Sequence, residues 1–211
     1  MIRTKQRKEM QTSIKKSWIL EKAGVLFWQK GYHNTSMKDI ANACNCRPAN
    51  FYNYFKNKED ILYEVIRSIT EQGVSSILYL EKDQEINPVE QLRSLIKSHF
   101  GFLASLKQSN VMISDTGMKY LSREHRKEII RLRDIYDSIL HKVIQRGIDA
   151  GYFATTDVKV AGYLIASIIV RSSVWFSMKG RLSVDEVSDI MFNFAYRGIK
   201  ADDANPPKRN A

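Results

Sequence analysis

Residues 35–62, TSMKDIANACNCRPANFYNYFKNKEDIL, decide the fold. A first short helix opens after Thr35 or Ser36, hydroxyl residues suited to accept a hydrogen bond from an orphan helix N–H, and Asp39 three places after Ser36 completes a capping box. This helix is expected to bury Met37, Ile40 and Ala41. The chain must then reverse at Cys44, Asn45 and Cys46, where asparagine tolerates a left-handed backbone that strains most other residues. Pro48 suits the first turn of a second helix, and Phe51 and Phe55, at i and i+4, give it a buried edge. Arg47, Asn50, Asn53 and Tyr54 are left to face outward. Asn57 with Asp60 caps a third helix, and Glu59 and Asp60 complement the positive end of its dipole.

Charge gives this segment a partner class. The chain carries a net charge of +10, and its first 60 residues hold twelve Lys and Arg against five Asp and Glu. Such clustering is the footprint of a head that binds a polyanion, because lysine and arginine displace counterions from phosphates. The stretch also resembles the TetR-type transcriptional regulators. The resemblance is carried by Thr35-Ser36-Met37, Asp39-Ile40-Ala41, Tyr52, Phe55 and Lys58-Glu59, in order, over residues 12–65. The family usually has Ala-Gly-Val-Ser where this chain has Cys44-Asn45-Cys46-Arg47, and Gly in place of Ala49. The resemblance implies a helix-turn-helix head on double-stranded operator DNA. Arg47, Asn50 and Asn53 would then meet base edges and Thr35, Tyr52, Tyr54, Lys56 and Lys58 phosphates, with Ser36, Met37, Pro48 and Ala49 in the same interface.

With 211 residues, 44% hydrophobic and 27% charged, the chain has an ordinary globular balance. Its two cysteines, Cys44 and Cys46, build no disulfide scaffold, fit a cytoplasmic location and are read as small buried hydrophobes. His33, His99, His125 and His141 show no metal-ligand spacing, so neither metal nor cofactor is expected. The run 160–170 is too short to cross a bilayer, and no signal-peptide core follows residues 1–8. No nucleophile elbow or phosphate-cradling loop points to an enzyme.

Helical periodicity continues throughout and predicts an all-α chain. A loose basic arm at 1–12 precedes a helix at 13–30 ended by Gly31, and a head spanning 13–60 leads into a long connecting helix at 58–82. Further helices are expected at 89–107, 109–121 with breaks, 123–150, 157–179 closed by Gly180, and 183–200 opened by a Ser183/Glu186 capping box. Residues 61–201 form the second domain, and 202–211 a disordered tail.

Segment 157–179 is apolar nearly all round, which predicts enclosure on both sides. Its surplus, with the stripe Val187, Ile190, Met191, Phe194 on the last helix and Ile168 beside it, fits a homodimer interface. Arg171 interrupts that segment and shares a face with Trp175, so it needs an internal acid such as Asp115 or Asp134, or an anionic ligand. Phe100, Leu103, Met112, Met118, Tyr120, Tyr136, Val174 and Met178 complete the candidate lining of a ligand pocket. Gly147, Ala150-Gly151-Tyr152-Phe153, Trp175-Phe176, Lys179-Gly180-Arg181-Leu182-Ser183 and Tyr196-Arg197-Gly198-Ile199 resemble the sensor domains of TetR-type regulators that answer acyl-coenzyme A (acyl-CoA) thioesters. Together the resemblances imply a dimeric repressor on a palindromic operator, released by a small hydrophobic effector such as an acyl-CoA. The rival within the fold is an efflux-type repressor sensing lipophilic cations.

Overall fold

A computed structural model describes residues 2–46, 51–52, 54–82, 85–106, 108–155 and 157–201, with side chains from Lys16 onward except those of residues 108, 110, 112 and 113. Among these the chain forms α1 (Ile2–Lys30), α2 (Met37–Ala43), α3 (Lys58–Ile77), α4 (Pro88–Ser105), α5 (Gln108–Thr116), α6 (Arg123–Asp149), α7 (Val158–Ser172) and α8 (Val184–Ile199). No strand occurs among the described residues; Phe153 and Lys200 make one isolated bridge. The all-α reading holds. The basic arm does not: α1 extends back to Ile2. The tail at 202–211 lies outside the described residues.

Local stop and start signals act where the sequence places them. Gly31 and Gly151 take φ of 82° and 76° at the ends of α1 and α6, and Asn45 takes φ 47° after α2. There the N–H of Cys46 reaches back to the carbonyl of Ala41 at 3.0 Å, and that of Asn45 to Asn42 at 3.0 Å, satisfying carbonyls that the helix end leaves open. Ser183 and Glu186 form the expected capping box of α8.

The segment expected at 157–179 stops early, at Ser172. The hydroxyls of Ser172 and Ser173 donate to the carbonyls of Ile169 and Val170 at 2.6 and 2.8 Å. The next N–H groups, of Val174 and Trp175, bond three residues back, to Arg171 and Ser172. Serine side chains competing for helix carbonyls tighten the turn and end the α-helix. Gly180 therefore closes an irregular loop rather than a helix.

The chain divides into two compact units, Met1–Thr70 with Lys107–Ile129, and Glu71–Leu106 with Ile130–Ala211. This differs from the division expected near residue 60, because α5 packs on α1 in the first unit. Ile19, Phe27, Ile40, Phe51, Phe55, Ile61, Leu62 and Ile66 form that unit's core. In the second unit α4 packs against α8 and α7. Leu92, Leu95, Ile96, Leu140, Ile144, Ile169 and Phe192 are its buried centre. The guanidinium of Arg93 lies 3.8 Å over the Phe192 ring and 2.9 Å from Asp189, and Lys97 meets Asp185 at 2.9 Å, so charges close the rim of the α4–α8 contact.

Candidate nucleic-acid interface and sensor core

The α2 N-terminus is built by three residues. Ser36 Oγ accepts the N–H of Asp39 at 3.1 Å, while the Asp39 carboxylate accepts the Ser36 N–H at 2.8 Å and its hydroxyl at 2.6 Å. These bonds from Ser36 hold the Asp39 carboxyl down at about 2. Ser36, Lys38, Tyr52 and Lys56 are exposed, and Met37 and Tyr54 are half-buried. Arg47, Pro48, Ala49, Asn50 and Asn53, the expected readers and their neighbours, lie outside the described residues.

Two expected phosphate contacts are used within the fold instead. Thr35 is 1% exposed, and its hydroxyl donates to the carbonyl of Gly31 at 2.8 Å, capping α1. Lys58 is part-buried; its ammonium donates to the carbonyl of Tyr32 at 2.6 Å and of His33 at 3.3 Å, and lies 4.4 Å from the centre of the Tyr32 ring. Burial lowers its pKa. A cation held by two carbonyls and an aromatic face staples the turn after α1 to the start of α3.

Tyr32 also stacks on Tyr120 at 4.7 Å, and His33 meets Tyr120 edge-on at 5.0 Å. Tyr120, Met118 and the backbone of Met112, expected in a ligand pocket, thus belong to the unit that holds α1 and α2. The Met118 carbonyl accepts two N–H groups of Arg126. Nearby, Glu59 accepts the N–H of Ser122 at 2.9 Å and bonds His125 Nδ1 at 2.9 Å, and the His125 ring stacks 3.8 Å from Tyr63. Glu59, Asp60 and His125 bring donor atoms within 4.8 Å of one another, which is close enough for a metal ion. Asp60 is already engaged by the N–H of Lys56, and its own N–H bonds Asn57. The cluster works as a clasp. Sequence periodicity gives no signal for it, since its partners stand more than sixty residues apart.

In the second unit, Phe100 and Leu103 are buried and Val174 is half-buried. Phe100 meets Phe176 edge-on at 4.9 Å. Tyr136 is buried and its hydroxyl lies 2.7 Å from His99 Nδ1. His99 is the functional candidate the sequence reading missed, because it shows only as one polar position on an apolar face. Arg171, expected to point into the interior or onto its rim, is exposed, so it does not need the internal acid that burial would demand. Trp175 and Met178, 60% and 70% exposed, follow the end of α7 and share no helical face with it.

Of the expected dimer residues, Val187 and Met191 are buried within the unit, Ile168 is half-buried, and Ile190 and Phe194 stand out in solvent. The α8 stripe is therefore split: α4 and α7 take one edge and leave the other. Val160, Tyr163, Leu164 and Val170 of α7 are exposed as well, so the helix is enclosed on one side only. A groove of about 470 Å³ between α6 and α7 is lined by Asp134, Asp137, His141, Lys142, Lys159 and Tyr163 among others. Burial raises the Asp137 carboxyl above its ordinary value. No helix among the described residues is long and apolar enough to cross a membrane.

A capped helix, a left-handed asparagine turn and a basic flank, joined to a second helical unit, define a helix-turn-helix DNA-binding protein. The pattern described as "Bacterial regulatory proteins, tetR family" matches residues 19–65, and "Tetracyclin repressor-like, C-terminal domain" matches residues 85–199. The chain is 31% identical to the TetR family transcriptional regulator PfmR from Thermus thermophilus, covering 85% of this chain and 97% of that one with a TM-score of 0.77. It is 26% identical to AibR, solved in complex with isovaleryl coenzyme A and operator DNA, with coverage of 85% and 97% and a TM-score of 0.75. The fatty acid metabolism regulator protein of Bacillus subtilis (strain 168) is 24% identical over 86% of this chain and 93% of its own length. The chain belongs to the TetR family, helix-turn-helix transcriptional repressors with a ligand-binding C-terminal domain.

Proposed function

We propose that the protein binds a palindromic operator as a homodimer and leaves it when a small hydrophobic effector, an acyl-CoA thioester, enters the second unit. The exposed apolar stripe of α7 and α8 carries this reading. Leu164 and Phe194, 62% and 69% exposed, with Val160, Tyr163 and Ile190, make a surface that a lone chain has no reason to present to water. A twin head at a fixed distance then lets both recognition segments enter successive major grooves, with Arg47, Asn50 and Asn53 on base edges and Ser36, Tyr52, Tyr54 and Lys56 on the backbone. Arg171, Lys179 and Arg181 are exposed cations available to the phosphates of coenzyme A. The effector acts by binding one arrangement of the dimer more tightly than the other.

Sedimentation of the full chain tests the dimer. Wild type is expected to run as a dimer at micromolar concentration, and Phe194→Arg and Leu164→Glu as folded monomers; a monomeric wild type sinks the proposal. Thermal-shift screening against isovaleryl-CoA, octanoyl-CoA and a cationic dye tests the effector. The groove that holds Asp134, Asp137 and Tyr163 favours one second reading, a lipophilic cation as effector, and stabilisation by the dye alone would establish it.

A further inference from the structure

The interior of the second unit holds a pair of polar side chains that meet each other. His99 on α4 is 7% exposed and Tyr136 on α6 is 9% exposed, and they meet through His99 Nδ1 and the Tyr136 hydroxyl at 2.7 Å. The other ring nitrogen, Nε2, has no hydrogen bond with any described residue. It looks toward Gly73 on α3. A Cβ added at Gly73 would stand 3.8 Å from Nε2 and 3.6 Å from the Phe102 ring, so no crowding demands glycine there. Glycine is among the least favourable residues for a helix interior, and here it leaves a methyl-sized gap against Nε2 and the Phe102 ring, which a Cβ would fill at ordinary contact distance.

The pair is neutral. Burial pushes the His99 imidazole down to about 4, and burial, with the charge of Asp137 after it, raises the Tyr136 phenol. If Tyr136 donates to Nδ1, the proton of His99 sits on Nε2 and points at the space. If His99 donates, the tyrosine O–H is left to donate and Nε2 to accept. Either tautomer leaves one unspent donor. A buried carboxylate would find no countercharge here and would face the charge of Asp137, which already acts on the Tyr136 phenol, whereas a carbonyl or hydroxyl oxygen satisfies the pair without charge.

We propose that His99 and Tyr136 form a polar subsite that takes the neutral oxygen of an otherwise apolar effector, and that Gly73 keeps it open. The subsite rests on the effector reading above, where the oxygen would be the thioester carbonyl of an acyl-CoA.

Isothermal titration of the full chain with octanoyl-CoA and with S-octyl-CoA, the thioether lacking only the carbonyl oxygen, tests it. Wild type is expected to bind the thioester about tenfold more tightly. Tyr136→Phe and Gly73→Ala should each erase that preference, so that thioester and thioether bind each variant alike. Equal binding of both compounds by wild type overturns the subsite and leaves the effector class standing. Binding of neither overturns both. Should Tyr136→Phe fail to fold, Gly73→Ala decides, because its methyl meets only ordinary contacts; a preference that survives Gly73→Ala refutes the proposal.

Discussion

The two units use histidine in opposite ways. In the unit that holds the helix-turn-helix, His125 lies against the Glu59 carboxylate and stacks on Tyr63, one of several polar and aromatic clasps that join distant parts of the chain. In the other unit, His99 sits in an apolar interior with only a phenol for company. The first unit spends its charges on holding itself together, and the second excludes charge from its centre while leaving apolar surface outside. A DNA-binding head needs a rigid, polar exterior. A ligand-binding domain needs a dry interior.

The sharpest way to break this contrast is acid. Because the folded His99 titrates near 4 and the unfolded one near 6.5, the unfolded chain takes up a proton that the fold refuses between those values, so stability falls as pH drops from about 6.5 to 4. The loss from this one group is about 3 kcal/mol over that window. Urea unfolding of wild type against His99→Leu across the window should show the variant with the shallower slope, and parallel slopes would mean the interior tolerates the charge.

Packing provides the next test. A Cβ at Gly147 would lie 2.0 Å from the Phe153 ring, with the ring held where the Phe153–Lys200 bridge and the Ala154 to Ile199 bond of 2.7 Å fix the chain. Gly147→Ala is expected to cost about 2 kcal/mol by overpacking, read as a lower denaturation midpoint. An unchanged midpoint would show that Phe153 is free to move.

The smallest effect separates two roles for Lys58. As a staple of the turn at Tyr32 and His33, its loss in Lys58→Ala should lower stability by about 1 kcal/mol and leave the salt dependence of operator binding unchanged. As a phosphate contact, it would instead reduce the salt slope by about one with little change in stability.

The same residues show what was legible beforehand. Ser36 with Asp39, Asn45, Gly31, Gly151 and Ser183 with Glu186 were readable because each acts on its own backbone within a few residues, through capping or a positive φ. Arg171 and Trp175 were misread as one helical face because two consecutive serines end α7, and serine is ambiguous between helix and turn until its hydroxyl is seen bonding. Tyr120 was read as pocket lining because an aromatic near methionines looks alike in either setting. Only its stacking on Tyr32, 88 residues earlier in the chain, assigns it to the head.

From sequence alone follow the helices, most of their ends, the basic head and the family, since all of these rest on short-range periodicity, caps and charge. Tertiary structure decided which side chains are spent inside the fold and which remain exposed: Thr35 and Lys58 are spent, Tyr52 and Lys56 remain, Val187 and Met191 are buried, Ile190 and Phe194 are left. The physical reason is that a side chain's availability depends on neighbours brought close by packing, and local spacing along the chain carries no record of them.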